Sequence, residues 1–499
     1  MKYTISPRAL FTRDPMIYGQ FLEHFHRQVY GGVFMPGHPL SDEKGFRTDV
    51  IEALRRIRVP IIRWPGGCFV SSYHWEKGVG SERVPSFDKA WRVEDPNTFG
   101  TDEFILLCRA IGCEPYICTN AGTGTEEEMS NWMEYCNLEN EGEYAKRRIA
   151  NGFTQPHKVK YWSIGNENYG FWEIGAKDAD AWGKLVTEAA KMMKHVDPEA
   201  ELSAAALTDI NWNTKILSGA GKHLSWLSIH SYWDFMTEVH APASYDACMA
   251  YTDDLEAPVR RVRGLLMAYG LEQKIRIAYD EWNLRSWHHP NIHAGTATNN
   301  KADYLTPRDK NDLNATYTMA DAVFAACFLN MTLRNADIVG MANFSPVVNT
   351  RGMIYTHDKG IVLRSTYHVY DLYVNKMGDE VLDGFLECGS RMTVKGKDGA
   401  QVTVDAVDAV ATRDSKSGVI AVAAVNKRRA KAETITLHLP IGGKPVTVTT
   451  LCGNGPDDYN DVDRNTVVPF ENKEAVRRVT VRSAAITLPP HSVNIIRIG

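Results

Sequence analysis

The chain has 499 residues, with 56 basic and 61 acidic side chains giving a net charge of −5. That length suits roughly two to four domains, a barrel counting as one large unit. The charges are well mixed, so no basic stripe offers a seat for nucleic acid, and no run reaches the ~18 apolar residues of a membrane span.

From about residue 15 to 365, short apolar strands alternate with amphipathic helices, the pattern of a parallel sheet with covering helices. The expected strands are Met16–Gly19, Pro60–Trp64, Glu114–Thr119, Val159–Gly165, Leu202–Ala206, Trp226–His230, Ile275–Tyr279 and Ile338–Asn343. Eight strands, with no Gly-x-Gly-x-x-Gly turn after the first, favour a closed (β/α)₈ barrel over an open doubly wound sheet. Among the helices, Thr101-Asp102-Glu103 starts one that Gly112 stops, Asp178 to Val196 forms a second, and residues 312–335 form a third. After about residue 366 the texture changes to short alternating runs such as Ile435–Leu439 and Val479–Val481, separated by Gly, Pro, Asn and Asp. The fold class is therefore α/β: a (β/α)₈ TIM barrel over 15–365 and a C-terminal antiparallel β-sandwich over 366–499. Residues 1–14, with the strand-like Tyr3-Thr4-Ile5, are expected to add a strand to the sandwich.

Nine cysteines, an odd number spread from Cys68 to Cys452, fit reduced thiols better than a disulfide framework. The segment Met1–Arg8 lacks the apolar run of a secretory signal, so a cytoplasmic protein is expected. Cys108, Cys113 and Cys118 lie on apolar faces and read as core packing rather than a metal site. His288, His289 and His293 lack the spacing of a helix-borne zinc site and read as exposed.

Two of the strands end alike. Val159–Ile164 runs into Gly165-Asn166-Glu167, and Ile275–Tyr279 runs into Asp280-Glu281-Trp282-Asn283. A strand buried on both faces ends in an acid where that end meets solvent or a ligand, and barrel enzymes place their chemistry at such ends. Two carboxyl groups on one rim are what glycosidic bond cleavage needs, one to protonate the leaving oxygen and one to attack carbon or activate water. Glu167 and Glu281 are the candidates, against the plain alternative of helix caps or surface ion pairs. Arg63 and Tyr232 are the donors that would keep the nucleophile ionised. Asn166 is suited to a sugar 2-hydroxyl. Glu23, His24 and His230 are further polar groups at strand ends, although Glu23 and His24 could equally pair with Arg63. Gly66-Gly67 would let backbone approach a ligand. Trp64, Trp162, Trp233, Trp282 and Trp287 could stack on sugar faces or pack the barrel.

The motifs Gly19-Gln20-Phe21-Leu22-Glu23-His24, Arg63-Trp64-Pro65-Gly66-Gly67, Tyr73-His74-Trp75-Glu76, Phe99–Phe104, Gly165-Asn166-Glu167 and Asp280–Asn283, in this order, resemble the α-L-arabinofuranosidases of glycoside hydrolase family 51. The likeness runs over almost the whole chain, to Pro489-Pro490-His491-Ser492. It implies a retaining double displacement with Glu167 as general acid/base and Glu281 as nucleophile. It also implies a pocket lined by Glu23, Cys68, Asn166 and Tyr232, no cofactor, an arabinose-containing oligosaccharide as substrate, and a cytoplasmic homohexamer. Arg63, His230 and Trp282 complete the expected substrate-binding set. Two departures stand out: His26 occupies a position where the family commonly has glycine, and Pro346 replaces its usual sugar-binding glutamine. The alternatives are a retaining glycosidase of other specificity, such as a β-xylosidase or endo-β-glucanase, and a non-catalytic carbohydrate-binding protein.

Overall fold

Eight short runs pair in parallel, each with its chain neighbour, and close on themselves. They are Gly19–Phe21, Ile61–Trp64, Glu114–Thr119, Tyr161–Ile164, Glu201–Ala205, Leu224–Phe235, Arg276–Ser286 and Val339–Phe344. The eighth returns to the first through Asn343 opposite Gly19 and Phe344 opposite Gln20. The computed structural model describes residues 1–236, 241–286, 292–293, 296–297, 312–387, 389–440 and 442–499. Trp287, His288 and His289, the side chain of His293 and most of the loop after the seventh strand fall outside the described residues.

The first strand begins at Gly19 instead of Met16. Pro15–Tyr18 forms a 3₁₀ turn, started by Pro15 and capped by the Asp14 carboxylate, which accepts the Met16 N–H. An Asp-Pro pair is a helix-start signal and overrides the apolar run behind it. In the helix Thr101–Ile111, Gly100 is the cap residue and Glu103 accepts its N–H at 2.8 Å. Thr101 turns inward instead, where its hydroxyl accepts the Trp132 indole N–H at 2.9 Å. Gly112, at φ 88°, ends the helix in the left-handed region that favours glycine. The helix Met319–Arg334 is shorter than the stretch 312–335, because Thr318 and Asp321 form a reciprocal cap at its start. Every residue of it except Arg334 is buried, as befits a helix pressed between two layers.

The second domain is a ten-stranded sheet, antiparallel except where its N-terminal strand joins. Lys2–Thr12 pairs antiparallel with Glu380–Glu387 and parallel with Glu433–His438. The helix Ser365–Lys376 packs on Met319–Arg334 as the last barrel helix, so the C-terminal strands of the sheet start at Glu380, beyond the boundary that the change in texture marks. Ile420–Asn426 shows how the two domains join. Ile420, Val422 and Ala424 face the sandwich core with Tyr3, Leu437 and Ile486, while Ala421, Ala423 and Val425 belong to the barrel's own core. A period-two strand thus serves two cores at once.

Arg285, near the end of the seventh strand, ties the rim together. Its guanidinium reaches Asp234 on the sixth strand at 2.7 Å and Asp321 on the helix start at 2.9 and 3.0 Å, all three residues being buried. Removing one member of such a cluster leaves uncompensated charge, at a cost of about 3–5 kcal/mol. Arg285→Met is therefore expected to lower the melting temperature clearly; an unchanged transition in a thermal scan would show that the cluster contributes nothing to holding the two strand ends.

Candidate active site

The strand ends at the C-terminal mouth of the barrel surround a cavity of about 420 Å³ lined by Glu23, Gly67, Cys68, Asn166, Glu167, Tyr232 and Glu281, with Trp91, Trp172, Phe171, Phe235 and Arg351 toward its walls and rim. Glu281 reaches it because of an irregularity in the seventh strand. The pairing with the sixth strand shifts register between Tyr279 and Glu281, and a bulge of this kind re-aims side chains. Consecutive acids consequently meet one guanidinium: Arg63 donates Nη1 to Glu281 Oε1 at 2.8 Å, while its Nε lies 3.6 Å from Asp280 Oδ2. Glu167 follows the fourth strand in the left-handed region, at φ 45°, two residues after Gly165 at φ 70°. Such backbone is uncommon for a glutamate, and turns of this sort collect at functional sites.

The two glutamates have different surroundings. Glu281 accepts from Arg63 and from the Tyr232 hydroxyl at 2.7 Å, and His230 Nδ1 stands 3.7 Å away. Burial alone would raise its pKa, but His230, Arg63 and Tyr232 together hold the carboxyl below the usual carboxylate range. Glu167 meets an indole N–H from Trp172 at 2.8 Å, and His230 Nδ1 at 2.8 Å. His230 sits between the two: burial presses its pKa down, yet Glu281 and Glu167 outweigh that and hold it above the ordinary value. One oxygen of Glu167, one of Glu281 and a His230 nitrogen all lie within 4.8 Å of one another.

Arg63 and His230, expected as substrate contacts, lie beneath the carboxylates and support them. Arg63 is fully buried and also donates Nη2 to Asn166 Oδ1 at 2.9 Å. That bond leaves the Asn166 amide nitrogen without a protein partner, on a residue that lines the cavity. Glu23 accepts from the backbone N–H of Gly67 at 3.0 Å, from that of Phe69 at 3.2 Å and from the Trp91 indole at 3.0 Å. It does not pair with Arg63. Burial, with Glu281 nearby, pushes its pKa up to about 7. His24 instead bonds Asp95 at 2.7 Å. A Cβ at Gly67 would stand 2.9 Å from Glu281 Oε1, so glycine there keeps the floor of the cavity open.

Trp282 is a correction. It is 0% exposed, with its ring stacked on Phe328 at 3.7 Å between the barrel wall and the helix behind it. The alternation of the strand that sends Glu281 inward sends its neighbour outward. Trp64 and Trp162 are buried in the same core, and Trp233 packs on Phe324 and Phe328. Among the described residues the indoles that reach the cavity are Trp91 and Trp172, which lie on connections outside the strands, where periodicity gives no signal.

Glu173 was also not singled out by the sequence. It is 4% exposed, accepts from Ser71 Oγ, and lies with Cys68 and Glu167 in a cluster whose ligand-type atoms are within 4.8 Å of one another. Burial, then Glu167, push its pKa up to about 8. A carboxyl bound more tightly by protons when folded contributes stability that is complete below its unfolded value, near 4.5, and is lost as pH rises through about 8. Glu173→Gln should therefore gain thermal stability relative to the parent as pH rises from 5 to 8; a pH-independent difference in melting temperature would contradict a neutral Glu173.

Two family models match the chain: "Alpha-L-arabinofuranosidase 1 domain" over residues 53–249 and "Alpha-L-arabinofuranosidase C-terminal domain" over residues 280–492. Alpha-L-arabinofuranosidase C of Emericella nidulans is 30% identical, covering 98% of this chain and 95% of its own. An intracellular exo-alpha-(1->5)-L-arabinofuranosidase of Halalkalibacterium halodurans is 35% identical over 71% of this chain and 70% of its own. The crystal structure of an alpha-L-arabinofuranosidase from Thermotoga maritima superposes with a TM-score of 0.85 at 32% identity, covering 99% of both chains.

Proposed function

The chain belongs to glycoside hydrolase family 51, the α-L-arabinofuranosidases, and from that premise we propose that it is a retaining, exo-acting α-L-arabinofuranosidase. It would remove terminal arabinofuranosyl units from arabinan- or arabinoxylan-derived oligosaccharides. The observation that carries the mechanism is the closeness of the carboxylates, with one oxygen of each within 4.8 Å. Retaining pairs stand ~5–5.5 Å apart, whereas inverting pairs need roughly 6.5–9.5 Å to admit a water.

In the first step Glu281, ionised by Arg63 and Tyr232, attacks the anomeric carbon while Glu167 protonates the departing oxygen. In the second, Glu167 takes a proton from water, which displaces Glu281 and restores the original anomeric configuration. His230, in contact with both carboxylates, orients Glu167. Asn166 offers its free amide hydrogens to the 2-hydroxyl, while Glu23 and Cys68 close the far side of the sugar. Exo action is supported by the names of the bacterial relatives, which also support a cytoplasmic location; among the described residues no helix is long and apolar enough to cross a membrane. A homohexamer is the assembly proposed by resemblance, measurable by light scattering. The two-carboxylate geometry favours an enzyme over a sugar-binding protein, which needs no acid and nucleophile together.

On 4-nitrophenyl α-L-arabinofuranoside, Glu281→Ala is expected to lose about 10³-fold or more in kcat, and Glu167→Ala about 10²–10⁴-fold on substrates with poor leaving groups. Proton NMR of the first product should show retained configuration. Wild-type turnover by Glu281→Ala, or an inverted product, contradicts the assignment, and faster cleavage of the xyloside or glucoside replaces the sugar. Because Glu281 is held below the usual carboxylate range, the fall of kcat/KM that its protonation causes should lie on the acid side of the ordinary glutamate range.

A further inference from the structure

On the eighth-strand side of the cavity the residue after Ser345 is Pro346, which has no side-chain donor. Arg351 reaches into that space and lines the cavity beside Tyr232 and Glu281. Its position is fixed from several directions. Nε donates to the Ser345 carbonyl at 3.0 Å, and Nη2 donates to the Tyr232 oxygen at 3.2 Å and to Ser345 Oγ at 3.3 Å. The guanidinium carbon stands 5.0 Å from the Tyr232 ring centroid. Asn283, two residues beyond Glu281, donates its amide to the carbonyls of both Ser345 at 2.8 Å and Arg351 at 3.1 Å, tying the loop to the strand that carries the glutamate.

This accounts for Nε and Nη2. Among the described residues Nη1 makes no hydrogen bond, so its two N–H groups are uncommitted on a rigid, cavity-lining side chain. The charge faces Glu281 and Glu23, both already supplied with other donors. Free donors on a held guanidinium select an oxygen acceptor, and the acceptors that a furanoside brings to this wall are its ring hydroxyls.

Resting on the functional reading above, we propose that Arg351 is a substrate-binding and specificity-determining residue whose Nη1 donates to one hydroxyl of the furanosyl unit being cleaved, in the place Pro346 leaves without a donor. A hydrogen bond from a charged donor that is lost on truncation corresponds to about 10–100-fold in kcat/KM.

The test measures kcat/KM of the wild type, Arg351→Ala and Arg351→Lys on 4-nitrophenyl α-L-arabinofuranoside and on analogues with each hydroxyl replaced in turn by hydrogen or fluorine. In the wild type one replacement should cost about 10–100-fold, and Arg351→Ala should show the same loss on the parent compound with no further loss on that analogue. Arg351→Lys keeps the charge beside Glu281, hence the acid limb, but loses the planar fork, hence the discrimination; it also serves should the alanine variant fold poorly. If the wild type does not cleave the parent arabinofuranoside, the functional reading falls and takes this inference with it. If it does, and both variants discriminate among the analogues as the wild type does, the inference alone is overturned.

Discussion

One buried guanidinium organises the site. Arg63 comes from the second barrel strand and donates to Glu281 at the end of the seventh. These strands are not neighbours in the sheet, so the contact crosses the barrel lumen and exists only when the barrel is closed. The same side chain donates to Asn166 after the fourth strand, linking three strand ends around one charge. Desolvating an arginine this completely is costly unless its donors are satisfied. Asp280 stands on its other side, with burial raising the pKa of that carboxyl and the Tyr116 hydroxyl donating to it at 2.7 Å. Arg63 stands 3.6 Å from Asp280 but donates to Glu281 at 2.8 Å, so the shorter, hydrogen-bonded contact goes to Glu281.

With that charge placed, the division of work between the glutamates follows from what each one touches. Glu281 has a fixed cation and a phenol aimed at its two oxygens, the environment of a group that must remain an anion and then accept a bond to carbon. Glu167 has an indole on one oxygen and the shared histidine on the other, with no arginine or lysine among its hydrogen-bond partners in the described residues. A group that must give and regain a proton is poorly served by a permanent cation, since that would hold it ionised in both steps. His230 couples the pair, because moving a proton at one carboxylate alters the field at the other.

Much of this was legible in the chain. Seven of the eight barrel strands announce themselves as apolar runs, the first being displaced by the turn at Pro15–Tyr18, and strand ends are where barrels keep their acids, so Glu167 and Glu281 stand out without coordinates. What escaped the sequence was direction. Glu281 and Trp282 are adjacent letters, but a strand sends them to opposite faces, one into the cavity and one against Phe328. The register shift that lets Asp280 and Glu281 share Arg63 leaves no mark in composition. Arg351 and Trp91 lie on connecting segments, where neither helical nor strand periodicity constrains a side chain. His26, the departure from glycine, adopts φ 51°, so the backbone keeps the left-handed form that a glycine would take freely, a conformation histidine tolerates better than most residues.

The tryptophans show how the same residue type is sorted into core and pocket. In the barrel wall the indole N–H groups of Trp162, Trp182 and Trp132 go to a carbonyl or hydroxyl of the scaffold, at 2.9 Å in each case. In the cavity Trp91 and Trp172 donate to the carboxylates of Glu23 and Glu167, at 3.0 and 2.8 Å. A buried indole usually finds an acceptor, although Trp64, Trp75 and Trp282 are held in the core by ring packing with no partner for the nitrogen among the described residues. Anchoring a tryptophan by its nitrogen to an active-site acid fixes its ring as part of the cavity wall, an apolar surface for the face of a sugar, while the same bond supplies the acid with a donor. Catalytic electrostatics and substrate shape are in this way set by the same contacts.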